Sequence, residues 1–211
     1  MICSTSVRLH ICGASSSDAE RRAPPGGRRS AGTIGLMIVP DEKDWTWVLA
    51  RPCPECGFDA SSCIAQTVPD LLRANAVEWR QLVERGAIRP GRPVDTAWSS
   101  LEYACHVRDV YARFAGRIEL MLNEENPLYP NWDQDASAIA ERYEEQDPET
   151  VVDSLAANAE ALARRLERIS AAEWERPGLR SDGTSFTVDS IARYMIHDPI
   201  HHVWDVVHAS R

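Results

Sequence analysis

Val68, Leu71, Leu72, Ala76, Trp79, Leu82 and Val83 return every three or four positions, and that period predicts a helix. Thr67 stands before it as a cap, with Pro69 and Asp70 in the first turn, and the pattern ends at about Gly86. Arg89-Pro90-Gly91-Arg92-Pro93 reads as a loop. Ser99 then opens a second helix, Glu102 three residues later completes a capping box, and the helix runs to about Asn123. The stretch Asn126 to Asp135, which holds two prolines, reads as a long connection. Asp147-Pro148-Glu149 supplies the cap, first-turn proline and acidic start of a third helix to about Ile169. Ser170 to Glu175 suggests a short helical turn and Pro177 to Thr184 a loop. Thr187 caps a fourth helix through about Ala209. The β-branched run Gly35 to Val39 allows a short strand with no obvious partner, and no stretch alternates convincingly with period two. The expectation is an all-α fold, a four-helix bundle over residues 67–211.

Residues 1–36 break this picture. They hold Ser15-Ser16-Ser17, Pro24-Pro25-Gly26-Gly27 and the pairs Arg21-Arg22 and Arg28-Arg29, with no visible period, which predicts a disordered N-terminal extension. The segment carries five arginines against Asp18 and Glu20, whereas the whole chain is at −9. So sharp a shift also suits Met37 as the native start, with the preceding residues a mis-assigned extension. Residues 37–66 then form an arm that contains a Cys-x-x-Cys turn. Trp45 and Trp47, alternating around Thr46, are placed to pin that arm across the bundle.

The remaining composition excludes more than it identifies. At 44% hydrophobic and 26% charged, the chain is ordinary for a globular domain. Its acidic balance, with Lys43 the sole lysine, argues against a general nucleic-acid surface. No apolar run approaches the ~20 residues that cross a bilayer, and no signal peptide is evident, so no membrane partner and a cytoplasmic location are expected.

The chemistry gathers at His197-Asp198-Pro199-Ile200-His201-His202, which holds three of the six histidines. His197 and His201, at i and i+4, share one helix face and can grip one ion. His106, in the middle of the second helix, is the candidate third ligand, facing the fourth helix across the core. Imidazole suits Zn, Ni or Fe, so the divalent metal is not fixed by the donors. Glu102, Asp198 and Asp205 are placed to hold the outer nitrogens of such histidines, or to serve as solvated or capping charges. Asp133 allows an acid/base role at a pocket mouth or a loop-closing hydrogen bond. His202 allows an alternative ligand or acid/base role, packing, or donation to a carboxylate. Pro199 lacks the N–H that would bond the Met195 carbonyl and predicts a kink between the two ligands. Cys53-Pro54-Glu55-Cys56-Gly57 looks like half of a zinc ribbon, with Cys63 a third sulfur and no second Cys-x-x-Cys. Cys-Pro-x-Cys is also a thiol-disulfide spacing, but the strand-then-helix setting of that motif is missing, and a pair of ordinary thiols in a turn is the commonest outcome. Cys105 reads as a core residue.

One histidine on the second helix and His-x-x-x-His on the fourth resembles the DinB/YfiT-like superfamily of four-helix metalloproteins. The stretches Trp98 to Asp109 and Arg193 to Asp205 carry the likeness, with Asn131-Trp132-Asp133 and the Ser170 to Arg176 turn, over about residues 67–209. The resemblance implies a DinB-like four-helix bundle in which His106, His197 and His201 bind the metal. It is similar in particular to actinobacterial members related to mycothiol-dependent maleylpyruvate isomerase. That implies a metal-dependent thiol transferase or isomerase with mycothiol as co-substrate, or a hydrolase, acting on a small-molecule electrophile. A non-catalytic metal-binding bundle is the alternative. Related bundles are often dimers, so the resemblance extends to a homodimer, although no sequence patch singles out an interface.

Overall fold

The computed structural model describes residues 44–94 and 96–209. The extension at 1–36, the Met37 start and the strand at Gly35 to Val39 lie outside the described residues. Among the described residues, five α-helices and three short strands follow one another: α1 (Val68–Glu84), α2 (Ser100–Asn123), β1 (Leu128–Tyr129), α3 (Gln134–Ala140), α4 (Pro148–Leu166), β2 (Pro177–Arg180), β3 (Ser185–Thr187) and α5 (Val188–Ala209). The bundle helices α1, α2, α4 and α5 start and stop within a few residues of the positions the caps predicted. The Ser99/Glu102 capping box is formed in full, Asp147 accepts from the Thr150 amide, and Thr187 and Ser190 exchange side-chain-to-amide bonds at the head of α5.

Thr67 departs from expectation. Its backbone is already helical, because a 3-10 turn at Ala65–Thr67 leads directly into α1, and its hydroxyl donates backward to the Ile64 carbonyl at 2.7 Å. The small sheet and α3 are further departures. The strands are two to four residues long, too short for an alternating pattern to register. Their partners are remote: β1 pairs in parallel with β2, Leu128 opposite Leu179, and β2 pairs antiparallel with β3. Connections that read as loops are thereby stitched together over the end of the bundle.

α1 and α2 each pack chiefly on α4 and α5. Between them lie fully buried Leu72, Trp79, Leu101, Ile118, Leu155 and Met195. One polar chain crosses this interior. The Tyr111 hydroxyl donates to Asn75 Oδ1 at 2.6 Å, and Asn75 Nδ2 donates to the Pro199 carbonyl at 3.0 Å. α5 continues through Pro199, so the proline does not separate the residues on either side of it into two helices.

Gly178 in β2 is a close-approach position. A Cβ there would lie 2.6 Å from Cγ and 2.9 Å from Sδ of Met121, which is itself fully buried. Gly178→Ala is expected to cost ~1–3 kcal/mol of unfolding free energy in a denaturant titration, the usual range for overpacking. A loss below a few tenths would mean that Met121 moves aside freely.

Candidate metal centre

The bundle brings α2 and α5 together at their polar positions. His106 is 1% exposed on α2, and His197 and His201, at 4% and 7%, are buried on α5. Among the described residues, two groups of three or more His, Cys, Asp or Glu bring candidate ligand atoms within 4.8 Å of one another. One is His106, Asp198 and His202; the other is Cys53, Cys56, His197 and His201. The three histidines expected to share an ion are therefore divided between two clusters. The cause is helical phase. Residues 197/201 and 198/202 are both i, i+4 pairs, one residue or about 100° apart around the axis, and the pair that meets His106 is 198/202.

In the first cluster His106 Nε2 lies 3.2 Å from Asp198 Oδ1. The His106 ring is stacked on Trp132, 5.1 Å between centroids with the planes 8° apart, and tilted against Trp98, also at 5.1 Å. Two indoles thus fix its plane. His202 Nδ1 sits 2.8 Å from Asp205 Oδ2, while its Nε2 faces Asp198 Oδ1 at 3.5 Å. Burial alone would push the Asp198 carboxyl up, but His106 and His202 beside it outweigh that and hold it well below the usual carboxylate range. Asp198 is therefore an anion at neutral pH.

In the second cluster the Cys53 sulfur lies 3.6 Å from His201 Nδ1, and His201 Nε2 points toward Glu55 at 3.4 Å and Asp205 at 3.6 Å. His197 Nε2 is buried with no hydrogen-bond partner. Burial, reinforced by His201, pushes the His197 pKa down to about 4, so its imidazole is neutral. The arm supplies the lid of this cluster. Asp44 caps a 3-10 turn at Trp45–Leu49, and Trp45 places its ring 5.6 Å from His197 and 5.3 Å from His201. Trp47 also meets His197, at 6.5 Å, so the tryptophan pair does pin the arm to α5.

The remaining candidates are placed elsewhere. Asp133 is exposed and accepts from the Ala136 amide at 2.8 Å, closing the head of α3. Glu102 faces Arg92 and the Ser99 amide rather than His106. Cys63 contacts Thr67 and the Ile64 carbonyl, and Cys105 is a buried thiol pushed up to about 12 by burial. Asp198 and His202 share the i, i+4 spacing that marked His197 and His201. Cys-x2-Cys and His-x3-His are both ligand spacings of Cys2His2 zinc sites, and their wide separation along the chain hid the combination.

Trp132 has a second neighbour. It lines a cleft of about 320 Å³ with Arg113, Arg117 and Tyr129, and the Arg113 guanidinium lies 4.5 Å over its ring. No helix among the described residues is long and apolar enough to cross a membrane.

The sequence model of the DinB superfamily matches residues 17–206. Among solved structures, the chain is similar to YfiT from Bacillus subtilis, described as a probable metal-dependent hydrolase with an unusual four-helix bundle topology. The two share 18% identity and a TM-score of 0.61, covering 68% of this chain and 86% of that one. Among curated proteins there is no significant match.

Proposed function

The chain belongs to the DinB superfamily, and we propose that it is a metal-dependent enzyme whose divalent ion is held by His106, Asp198 and His202. The observation that carries this reading is the convergence of one imidazole from α2 with a carboxylate and an imidazole from α5. The donors fit a cation on their own chemistry. His202 stands between two carboxylates, its Nδ1 2.8 Å from Asp205 and its Nε2 3.5 Å from Asp198. A metal cation in this cluster would balance the carboxylate charge that a proton on His202 otherwise offsets. Two imidazoles and one carboxylate suit Zn, Fe or Ni.

Such an ion, with three protein donors and an open position, makes a water or a thiol more acidic and polarises an electrophile. The protein's own contribution is orientation. Trp98 and Trp132 hold the His106 ring, and Asp205 orients the His202 ring through Nδ1, with Nε2 toward the cluster. The Arg113/Arg117 cleft beside Trp132 is a place for an anionic part of a small substrate. We assign the activity to transfer or isomerisation with a low-molecular-weight thiol such as mycothiol, with hydrolysis as the rival. YfiT, a probable hydrolase of the same fold, supports metal dependence and leaves the acceptor open.

The test is to load the protein with Zn, Fe or Ni and assay thiol consumption with mycothiol and a panel of electrophiles, beside a panel of hydrolysable amides and esters. Turnover that needs metal and is lost in His106→Ala and His202→Ala is expected. Turnover unaffected by both substitutions would overturn the assignment. Metal binding without turnover on either panel would reduce the protein to a metal-binding bundle.

A further inference from the structure

We propose that Cys53, Cys56, His197 and His201 form a second, closed metal site, a structural zinc centre that ties the N-terminal arm to α5. Nothing in the proposed activity uses these four side chains. They bring two sulfurs and two imidazole nitrogens within 4.8 Å of one another. In a tetrahedral zinc site with Zn–S of about 2.3 Å and Zn–N of about 2.0–2.1 Å, a sulfur and a nitrogen on the same ion lie about 3.6 Å apart. Cys53 Sγ and His201 Nδ1 are separated by 3.6 Å.

The histidines show which atoms would bind. His201 turns Nε2 outward to the carboxylates of Glu55 and Asp205, the usual arrangement for a histidine whose other nitrogen is a ligand. His197 Nε2 is a buried nitrogen with no partner, and an ion at this point would satisfy it. The cysteine loop is built for the same end. The Gly57 amide donates to the Cys53 carbonyl at 3.0 Å, the Cys53 amide to the Phe58 carbonyl at 2.9 Å, and Gly57 takes φ +75°, a left-handed turn. This hairpin-like knuckle turns both sulfurs to one side.

Charge favours the assignment as well. Two thiolates and two neutral imidazoles cancel the charge of a divalent ion, so a closed site of this composition can be buried without leaving an unpaired charge. Four protein ligands leave no open position, which separates this site from the three-donor site one residue along the helix. Binding releases the two thiol protons to solvent.

The experiment uses cobalt as the probe on the full chain. Protein purified under reducing conditions is stripped, reloaded with one to two equivalents of Co(II), and its absorption recorded. Thiolate ligation gives sulfur-to-cobalt charge transfer in the near ultraviolet and intense tetrahedral bands in the visible. Both are expected in the wild type and in His106→Ala, and both are lost in Cys53→Ala. Cys56→His, which restores a fourth donor, is expected to keep one equivalent of zinc and to weaken the charge-transfer band. The wild-type spectrum decides the matter even if Cys53→Ala fails to fold. Cobalt protein without charge-transfer absorption overturns the proposal, as does zinc stoichiometry unchanged in Cys53→Ala. Failure of the three-donor site would appear differently, as absence of metal-dependent turnover with the cobalt–thiolate spectrum intact.

Discussion

Arg92→Ala is expected to destabilise the protein by about 3 kcal/mol, the range for removing one partner of a buried ion pair. Glu102 is 1% exposed, and Arg92 reaches it from the loop before α2, with Nε 2.9 Å from Oε2. The same carboxylate accepts from the Ser99 amide at 2.8 Å, completing the capping box that starts the helix carrying His106. Burial alone pushes the Glu102 carboxyl up, but Arg92 and the Ser99 bonds together outweigh it and leave it below its ordinary value. The sign of the pH effect follows. A carboxyl whose folded value is depressed adds stability above the unfolded value of ~4.3, and that stability is lost as pH falls through the folded value. Without Arg92, burial prevails and lifts the carboxyl above its unfolded value, so the deficit of Arg92→Ala is full at neutral pH and shrinks as pH falls and Glu102 takes up a proton. Denaturant titrations across pH 3–7 (roughly the span over which a glutamate titrates) would show this. Arg92→Ala/Glu102→Gln should recover part of the deficit, because the neutral amide no longer leaves a buried charge unpaired. If the double variant is as unstable as Arg92→Ala, the lost packing of Arg92 is responsible and the electrostatic account fails.

Asp205→Asn is expected to lower metal affinity by about 10–100-fold, as measured by chelator competition, the typical effect of removing a partner that orients a ligating histidine. One Asp205 oxygen lies 2.8 Å from His202 Nδ1 and the other 3.6 Å from His201 Nε2. The carboxylate therefore stands behind one ligand of each cluster. The larger loss belongs to the His106/Asp198/His202 ion, where the contact is closer. An asparagine is isosteric, so unfolding free energy should move much less than affinity. Unchanged affinity at both sites would show that Asp205 is only a surface acceptor.

The bundle was legible in the sequence because its signals are local. Ser99 with Glu102, Asp147 with Pro148, and the apolar period of α1 each fix an element within one turn of chain. The sheet was hidden because its pairing is not local: Leu128 finds Leu179 only after α3 and α4 have been laid down. The site was legible to the level of the helix and no further. His106 and the 197–202 segment were marked as the region of candidate ligands, and His106, His197, Asp198, His201 and His202 fall in the two clusters. A 3.6-residue helix, however, presents 197/201 and 198/202 to different neighbours, and only packing decides which pair meets α2. The cysteines met their histidines by a similar non-local route, through the path of the arm.

The pairing of the helices has a consequence for how the chain reaches this state. Because α1 and α2 pack chiefly on α4 and α5 rather than on each other, these first two helices do not form a stable hairpin by themselves. The first half of the bundle gains its burial only when the second half arrives. The contacts of α1 with α4 and α5 span long stretches of chain, so folding should be slower than in an up-and-down bundle of the same size. On the ribosome, α1 and α2 emerge with their apolar faces uncovered until α4 and then α5 follow, a window in which chaperone binding is to be expected.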